Sequence, residues 1–194
     1  AGIELFVLDD GWFGKRNNDT CSLGDWKVNY DKLPSGIDGL AEKINKIGMK
    51  FGLWFEPEMI SPDSDLYREY PDWAIHIDER EGVQSRNQMV LDLSRNEVCE
   101  YVINAVSNIL ANANIEYVKW DMNRQLTDMP RLGYNHEYTL GYYKIMSAIT
   151  EKFPNILFEG CSSGGGRFDA GVLAYMPQIW TSDNSDAIAR LKMQ

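Results

Sequence analysis

Five short apolar runs recur along the chain, at residues 4–8, 51–55, 117–120, 156–158 and 178–181. Each is continuous rather than alternating, which is the pattern of parallel strands buried on both faces. They start at intervals of roughly 47, 66, 39 and 22 residues, and most of these gaps leave room for the crossover helix that parallel strands require. A helical period fills several of them. Val98, Val102, Ala105, Val106, Ile109 and Leu110 fall on one face at 3- and 4-residue steps and predict a helix over 97–113, with Asn96 as its N-cap. A second helix is predicted over 36–47, with Leu40, Ile44 and Ile47 inward and Gly48 as its stop. A third covers 138–152 and ends near Phe153-Pro154, and a short one covers 63–70, ahead of Pro71. Residues 74–93 read as extended pieces around a Glu81-Gly82 turn, with 90–93 as a further strand. Residues 15–24 and 127–135 read as polar loops, and a last helix begins near Asp186.

Repeated strand–helix units make an α/β fold. The residues that carry chemistry follow the apolar runs each time: Asp9 and Asp10, then 54–58, Asp121, 161–166 and Asp183. Such clustering at strand C-termini belongs to TIM barrels and to open doubly wound sheets. No GxGxxG follows the first run, which disfavours the dinucleotide-binding version. Five strands do not close an eight-stranded barrel, so the expectation is a TIM (β/α)8 barrel present only in part. The most informative stretch is 117–124, where an apolar run ends on Asp121 with Lys119 and Asn123 two residues either side. A second acidic strand end, Asp183, comes 62 residues later. Two carboxylates at the mouths of buried strands suit glycoside chemistry, one attacking the anomeric carbon and the other protonating the leaving oxygen. The competing reading is that both merely cap the segments that follow. Lys119 and Arg124 are expected to hold the Asp121 carboxylate charged, and a neighbouring negative charge with partial burial to keep Asp183 protonated.

Composition narrows the function classes. The 194 residues suffice for one domain with a core, and 44% hydrophobic with 12% aromatic content marks a globular chain. The formal net charge of -10 disfavours nucleic acid or an anionic membrane as partner. No apolar run approaches the roughly 20 residues of a membrane span. Three cysteines without CxxC spacing give neither a disulfide framework nor a zinc signature, and favour a reducing compartment such as the cytoplasm. His76 and His136 are the only histidines, little material for a His-rich metal site or a Ser-His-Asp triad. Both ends read as cut, and an internal piece of a longer protein is expected.

Five motifs in order carry a resemblance over the whole chain. They are Phe6-Val7-Leu8-Asp9-Asp10-Gly11-Trp12-Phe13, Gly52-Leu53-Trp54-Phe55-Glu56-Pro57-Glu58-Met59, Val118-Lys119-Trp120-Asp121-Met122-Asn123-Arg124, Cys161-Ser162-Ser163-Gly164-Gly165-Gly166-Arg167-Phe168-Asp169 and Trp180-Thr181-Ser182-Asp183-Asn184-Ser185-Asp186. The chain resembles the retaining α-galactosidases of glycoside hydrolase family 36. The resemblance implies about strands two to six of the catalytic barrel, with the parent's flanking β-domains absent, and a parent that is a homo-oligomer. It implies Asp121 as nucleophile and Asp183 as general acid/base. Asp9 and Asp10 would grip the C4 and C6 hydroxyls of galactose, and Trp54 would wall the pocket. Lys119 and Asn123 would bind hydroxyls around C2 to C4, Arg86 would lie on the substrate side, and Cys161 would approach C2 with the Gly164 backbone beside it. The implied substrate is an α-galactosyl oligosaccharide of the raffinose type, with no metal or organic cofactor. Rival activities are galactosyl transfer, α-N-acetylgalactosaminide hydrolysis, and non-catalytic sugar binding by a fragment. The isolated 194 residues are expected to be inactive. Glu56 and Glu58 stay ambiguous, either orienting Trp54 and nearby loops or forming a rival acid pair.

Overall fold

The computed structural model describes residues 2–80 and 82–193. In chain order the elements are β1 (Leu5–Leu8), α1 (Gly36–Lys46), β2 (Lys50–Phe55), β3 (Met59–Ile60) and α2 (Asp65–Glu69), then β4 (Met89–Val90), α3 (Asn96–Ala111) and β5 (Tyr117–Trp120). They continue with α4 (Tyr134–Lys152), β6 (Leu157–Gly160), α5 (Ala170–Leu173), β7 (Gln178–Ile179) and α6 (Ala187–Met193). The five apolar runs become one parallel sheet of order β1-β2-β5-β6-β7.

Register sorts the sheet into two faces. Leu53 pairs with Val118 and Val118 with Phe158, so these buried apolar side chains stack on one face. On the other face Trp54 pairs with Lys119, and Lys119 with Glu159. The polar row ends at Gln178, whose amide donates to Glu159 at 2.6 Å and to the Tyr117 hydroxyl at 2.7 Å. One face therefore feeds the core and the other aims polar side chains along the strands toward their C-terminal ends. β1 and β7 are the two edges of this sheet among the described residues, and Phe6 on β1 is 40% exposed.

The helices follow their predicted periods with local differences. In α3, Val98, Val102, Val106, Ile109 and Leu110 are buried as expected, but Asn96 is the first helical residue and Arg95 occupies the cap. Asn96 instead accepts a hydrogen bond from Lys144 of α4. In α1 Leu40 and Ile44 pack half-buried against the core as expected, beside the buried Ile37 and Ala41, while Ile47 is 69% exposed because it lies beyond the last helical turn. α4 starts four residues early, at Tyr134. Residues 90–93 do not join the main sheet: Met89 and Val90 pair antiparallel with β3, and Leu91 bridges to Ala74. Glu81, where a turn is expected, lies outside the described residues. The loop 15–24 is no solvated excursion, since Arg16, Cys21, Ser22 and Leu23 are buried. The β6–β7 crossover contains only the four-residue α5, whose N-cap Asp169 accepts from Gly171 N and Val172 N at 2.8 and 3.0 Å. Cys21, Cys99 and Cys161 are unpaired and buried.

α3 and α4 pack closely at Gly141, where an added Cβ would lie 1.8 Å from the Leu93 carbonyl oxygen. Helix propensity alone favours Ala over Gly by about 1 kcal/mol, but the neighbour is backbone and does not yield easily. Gly141→Ala is therefore expected to destabilise the complete protein by about 1–3 kcal/mol in a urea titration. A variant as stable as the parent would show that the contact has slack.

Candidate active site

The C-terminal ends of β1, β2, β5 and β7 surround a polar pocket of about 250 Å³. Asp9, Trp54, Lys119, Asp121, Asn123 and Asp183 line it, together with Asp10, Arg16 and Glu56. Arg86 reaches it from the loop before β4. Of the ten site residues read from the sequence, only Cys161 and Gly164 lie outside this lining, just behind it.

Asp121 follows β5 and is 6% exposed. A carboxylate with so little water needs donors. The Trp54 indole donates to its Oδ2 at 3.1 Å, the Asn123 amide to the same oxygen at 2.6 Å, and the Met122 N–H to Oδ1 at 2.9 Å. Trp54 thus does more than wall the pocket. It is 3% exposed, packs on Phe13 and Trp26, and offers its N–H to the carboxylate. Asn123 is a hub: its side-chain oxygen accepts from Arg86 at 2.7 Å and from Ser163 at 3.2 Å. Arg86 and its neighbour Asn87 both adopt positive φ, at 53° and 60°, a conformation with a steric cost for non-glycine residues.

Arg124 does not hold the charge of Asp121 as expected. It turns away, donating to Val83 O at 2.7 Å and Thr127 Oγ1 at 3.1 Å, with Asp128 3.6 Å off. Burial pulls its pKa down despite Asp128. Lys119 stays in the pocket, 3.0 Å from Asp9 and over the Trp180 ring at 5.3 Å. Burial works against its charge, but Asp9, Cys161 and Asp121 outweigh that and raise its pKa.

The two aspartates after β1 are held differently. Asp9 accepts from Lys119 and from the Asp10 N–H. Asp10 is gripped by the buried Arg16 through Nε at 3.0 Å and Nη2 at 2.8 Å, a bidentate clamp. Arg16 was missed from the sequence because nothing in a polar stretch marks one cation as buried.

Asp183 is exposed, contrary to the partial burial expected, and its Oδ1 accepts from the Trp180 indole at 2.8 Å. Asp186 caps α6, accepting from Ala189 N at 2.8 Å. The loop before Asp183 rests on Gly164. Its φ is +92°, and a Cβ there would come 3.2 Å from Ser182 Cα and Thr181 O. Cys161 donates its N–H to Trp120 O, and its thiol pKa is pushed up to about 12 by burial and then by the charge of Asp121. A thiol so raised disfavours the thiolate that a cysteine nucleophile needs.

Glu58 is resolved from Glu56 by its partners. It is fully buried and meets Arg167 through both oxygens at 2.8 and 3.0 Å, while Trp120 and Tyr138 donate to it at 2.9 and 2.8 Å. This pair joins the end of β2 to β5, α4 and the loop after β6. Glu56 is buried too, but lines the pocket and accepts from Asn123 N at 2.5 Å.

A model of the family described as Melibiase matches residues 1–194. The chain belongs to the Melibiase family. It is 58% identical over 201 residues to alpha-galactosidase AgaA of Geobacillus stearothermophilus, and 53% over 193 residues to the bifunctional alpha-galactosidase/sucrose kinase AgaSK of Mediterraneibacter gnavus. Each match covers the whole chain, which spans 28% and 21% of those relatives' lengths. The crystal structure of the GH36 alpha-galactosidase AgaA matches with a TM-score of 0.96 at 58% identity, covering 100% of this chain and 28% of that one. A variant of AgaA solved in complex with raffinose matches with the same TM-score at 57% identity and the same coverage.

Replacing Arg167 with Met leaves Glu58 buried without its cation. The expected loss is about 3–5 kcal/mol of stability in denaturant unfolding of the complete protein. Adding Glu58→Gln should recover some of it; a double variant no better than the single would mean that the charge pair is not the source.

Proposed function

We propose that the complete protein is a retaining exo-α-galactosidase, and that this chain supplies the portion of its (β/α)8 barrel that holds the catalytic carboxylates. The observation that carries the reading is the convergence of Asp121 and Asp183 on one polar pocket in contrasting settings, one buried among three donors and one exposed. Kinship with α-galactosidases over the whole chain supports the substrate class, as does the raffinose complex of AgaA. Two unpaired sheet edges among the described residues, and the site's place at strand C-termini, support the partial barrel.

In this reading Asp121 attacks the anomeric carbon while Asp183 gives its proton to the departing oxygen. The products of this step are a galactosyl ester on Asp121 and the free aglycone. Asp183 then takes a proton from water, the water oxygen bonds to the anomeric carbon, and the ester breaks to release galactose with its original configuration. Trp54 and Asn123 hold Oδ2 of Asp121 and the Met122 N–H holds Oδ1, which fixes the carboxylate for attack. Lys119 and Asp9, side by side, offer a donor and an acceptor to adjacent sugar hydroxyls, and Asp10 adds a second acceptor stiffened by Arg16. A site built to pair a hydroxyl rejects an epimer that misplaces it, so the axial O4 of galactose is the selected feature.

The test is hydrolysis of 4-nitrophenyl α-galactoside by the complete protein, beside the α-glucoside and the α-N-acetylgalactosaminide. Turnover of the galactoside alone, with the α-anomer of galactose appearing first by NMR, is the expected result. Asp121→Asn should lose on the order of 10³-fold or more in kcat, and Asp183→Asn about 10²–10⁴-fold. No turnover of any glycoside would remove the hydrolase reading. Trp54→Phe keeps the ring but loses a hydrogen bond to a charged group, worth about 1.5–3 kcal/mol. It is expected to lower kcat/KM about 10- to 100-fold, and unchanged kinetics would show that the indole N–H is idle.

A further inference from the structure

Glu56 is 1% exposed and lines the pocket, yet it takes no role in the sequence of bond changes above. Its Oε1 accepts from Asn123 N at 2.5 Å, and the Asn123 side chain in turn donates to Asp121 at 2.6 Å. The cations around it are engaged elsewhere. From the loop after β1, Arg16 places Nε and Nη2 on Asp10 and Nη1 on Cys21 O. From β5, Lys119 is on Asp9, and beyond it Arg124 serves Val83 O and Thr127. From the loop before β4, Arg86 is on Asn123, and from the loop after β6, Arg167 is on Glu58. No ion pair reaches Glu56 among the described residues. The same pocket also gathers the carboxyl groups of Asp9, Asp10, Asp19, Asp121 and Asp183. Glu58, two residues on and equally buried, has a guanidinium on both oxygens; Glu56 has none. Asp121 has three donors to carry its charge, whereas Glu56 has the Asn123 N–H as its one donor among the described residues, and burial beside other carboxylates favours the neutral form of such a group.

We propose that Glu56 is a positioning residue for the reaction: it holds the turn bearing Asp121 and Asn123 through the Asn123 amide, and does so as an uncharged acid. The inference rests on the α-galactosidase reading. A charged group here would place a second anion beside Asp121. Its pKa is pushed up to about 8, first by burial and then by the charge of Asp121. Formation of the galactosyl ester removes that charge, so Glu56 ionises more readily in the covalent intermediate than in the free enzyme.

The sign of the pH effect follows from linkage. Between the ordinary value of 4.5 and about 8 the folded protein keeps a proton that the unfolded chain releases, so stability falls as pH rises through that window.

The experiment compares the complete protein with Glu56→Gln and Glu56→Ala. At pH 6, Glu56→Gln, which keeps the accepting oxygen and no charge, should hold kcat/KM within about threefold, while Glu56→Ala falls about tenfold or more. Between about pH 5 and 8 the parent should lose stability that Glu56→Gln retains, and as pH passes about 8 it should lose activity that the variant keeps. Infrared difference spectra of parent and Glu56→Gln supply a readout independent of turnover. In the parent-minus-variant difference, the carbonyl stretch of a protonated carboxyl should be present at pH 7 and fade as pH passes about 8. Glu56→Gln failing as badly as Glu56→Ala would overturn the inference, as would an unaltered alkaline limb or no protonated band at pH 7. A parent with the band but without α-galactosidase activity would instead remove the proposed reaction and leave the neutral acid standing.

Discussion

A carboxylate that gives up most of its water has to find other donors in its place. Asp121 meets that demand with donors from two strands. β2 supplies the Trp54 indole, and the turn after β5 supplies the Met122 amide and the Asn123 side chain. The β2–β5 register, with Trp54 opposite Lys119 and Phe55 opposite Trp120, sets where these groups meet. A one-residue slip between the strands would turn Trp54 to the core face and leave Asp121 short of a donor. The parallel pairing is thus a requirement of the pocket as much as of the core.

The support beneath the pocket is ionic, with Glu58 fully buried and Arg167 largely so. Glu58 gathers Trp120, Tyr138 and Arg167 on one carboxylate, and Arg167 also lies 4.2 Å from the centre of the Tyr142 ring. Buried pairs of this kind add little net stability but punish any arrangement that separates the partners. Here the partners come from four regions of the chain, so the pair acts as a gauge of correct assembly. Trp180 plays the corresponding role at the rim, between Lys119 and Arg190 and hydrogen-bonded to Asp183.

The five strands were legible because each is a continuous apolar run, and the parallel α/β arrangement followed from the gaps between them. The pocket was legible because its residues end those runs, and because five motifs together resemble one family. What stayed hidden depends on side-chain direction. Nothing in Val118–Arg124 tells that Lys119 turns in and Arg124 turns out, since both are cations near one carboxylate. The division of labour between Glu56 and Glu58 was hidden for the same reason: Arg167, which distinguishes them, is 109 residues from Glu58. Arg16 was masked by the polar loop around it, and the short pairing of Met89–Val90 by an apolar pattern that any buried segment shares.

The order of strands in the sheet is their order in the chain. A polypeptide emerging from a ribosome therefore never needs to separate strands already joined in order to admit another between them. Each new strand docks on an edge that its predecessor has just made, and the sheet lengthens in one direction as synthesis proceeds. Of the pocket's carboxyl groups, Asp121 and Asp183 arrive on the third and fifth strands to dock. Until then the growing edge presents unpaired amides and carbonyls, so the segment passes through its most association-prone stage early and becomes chemically complete only near its end.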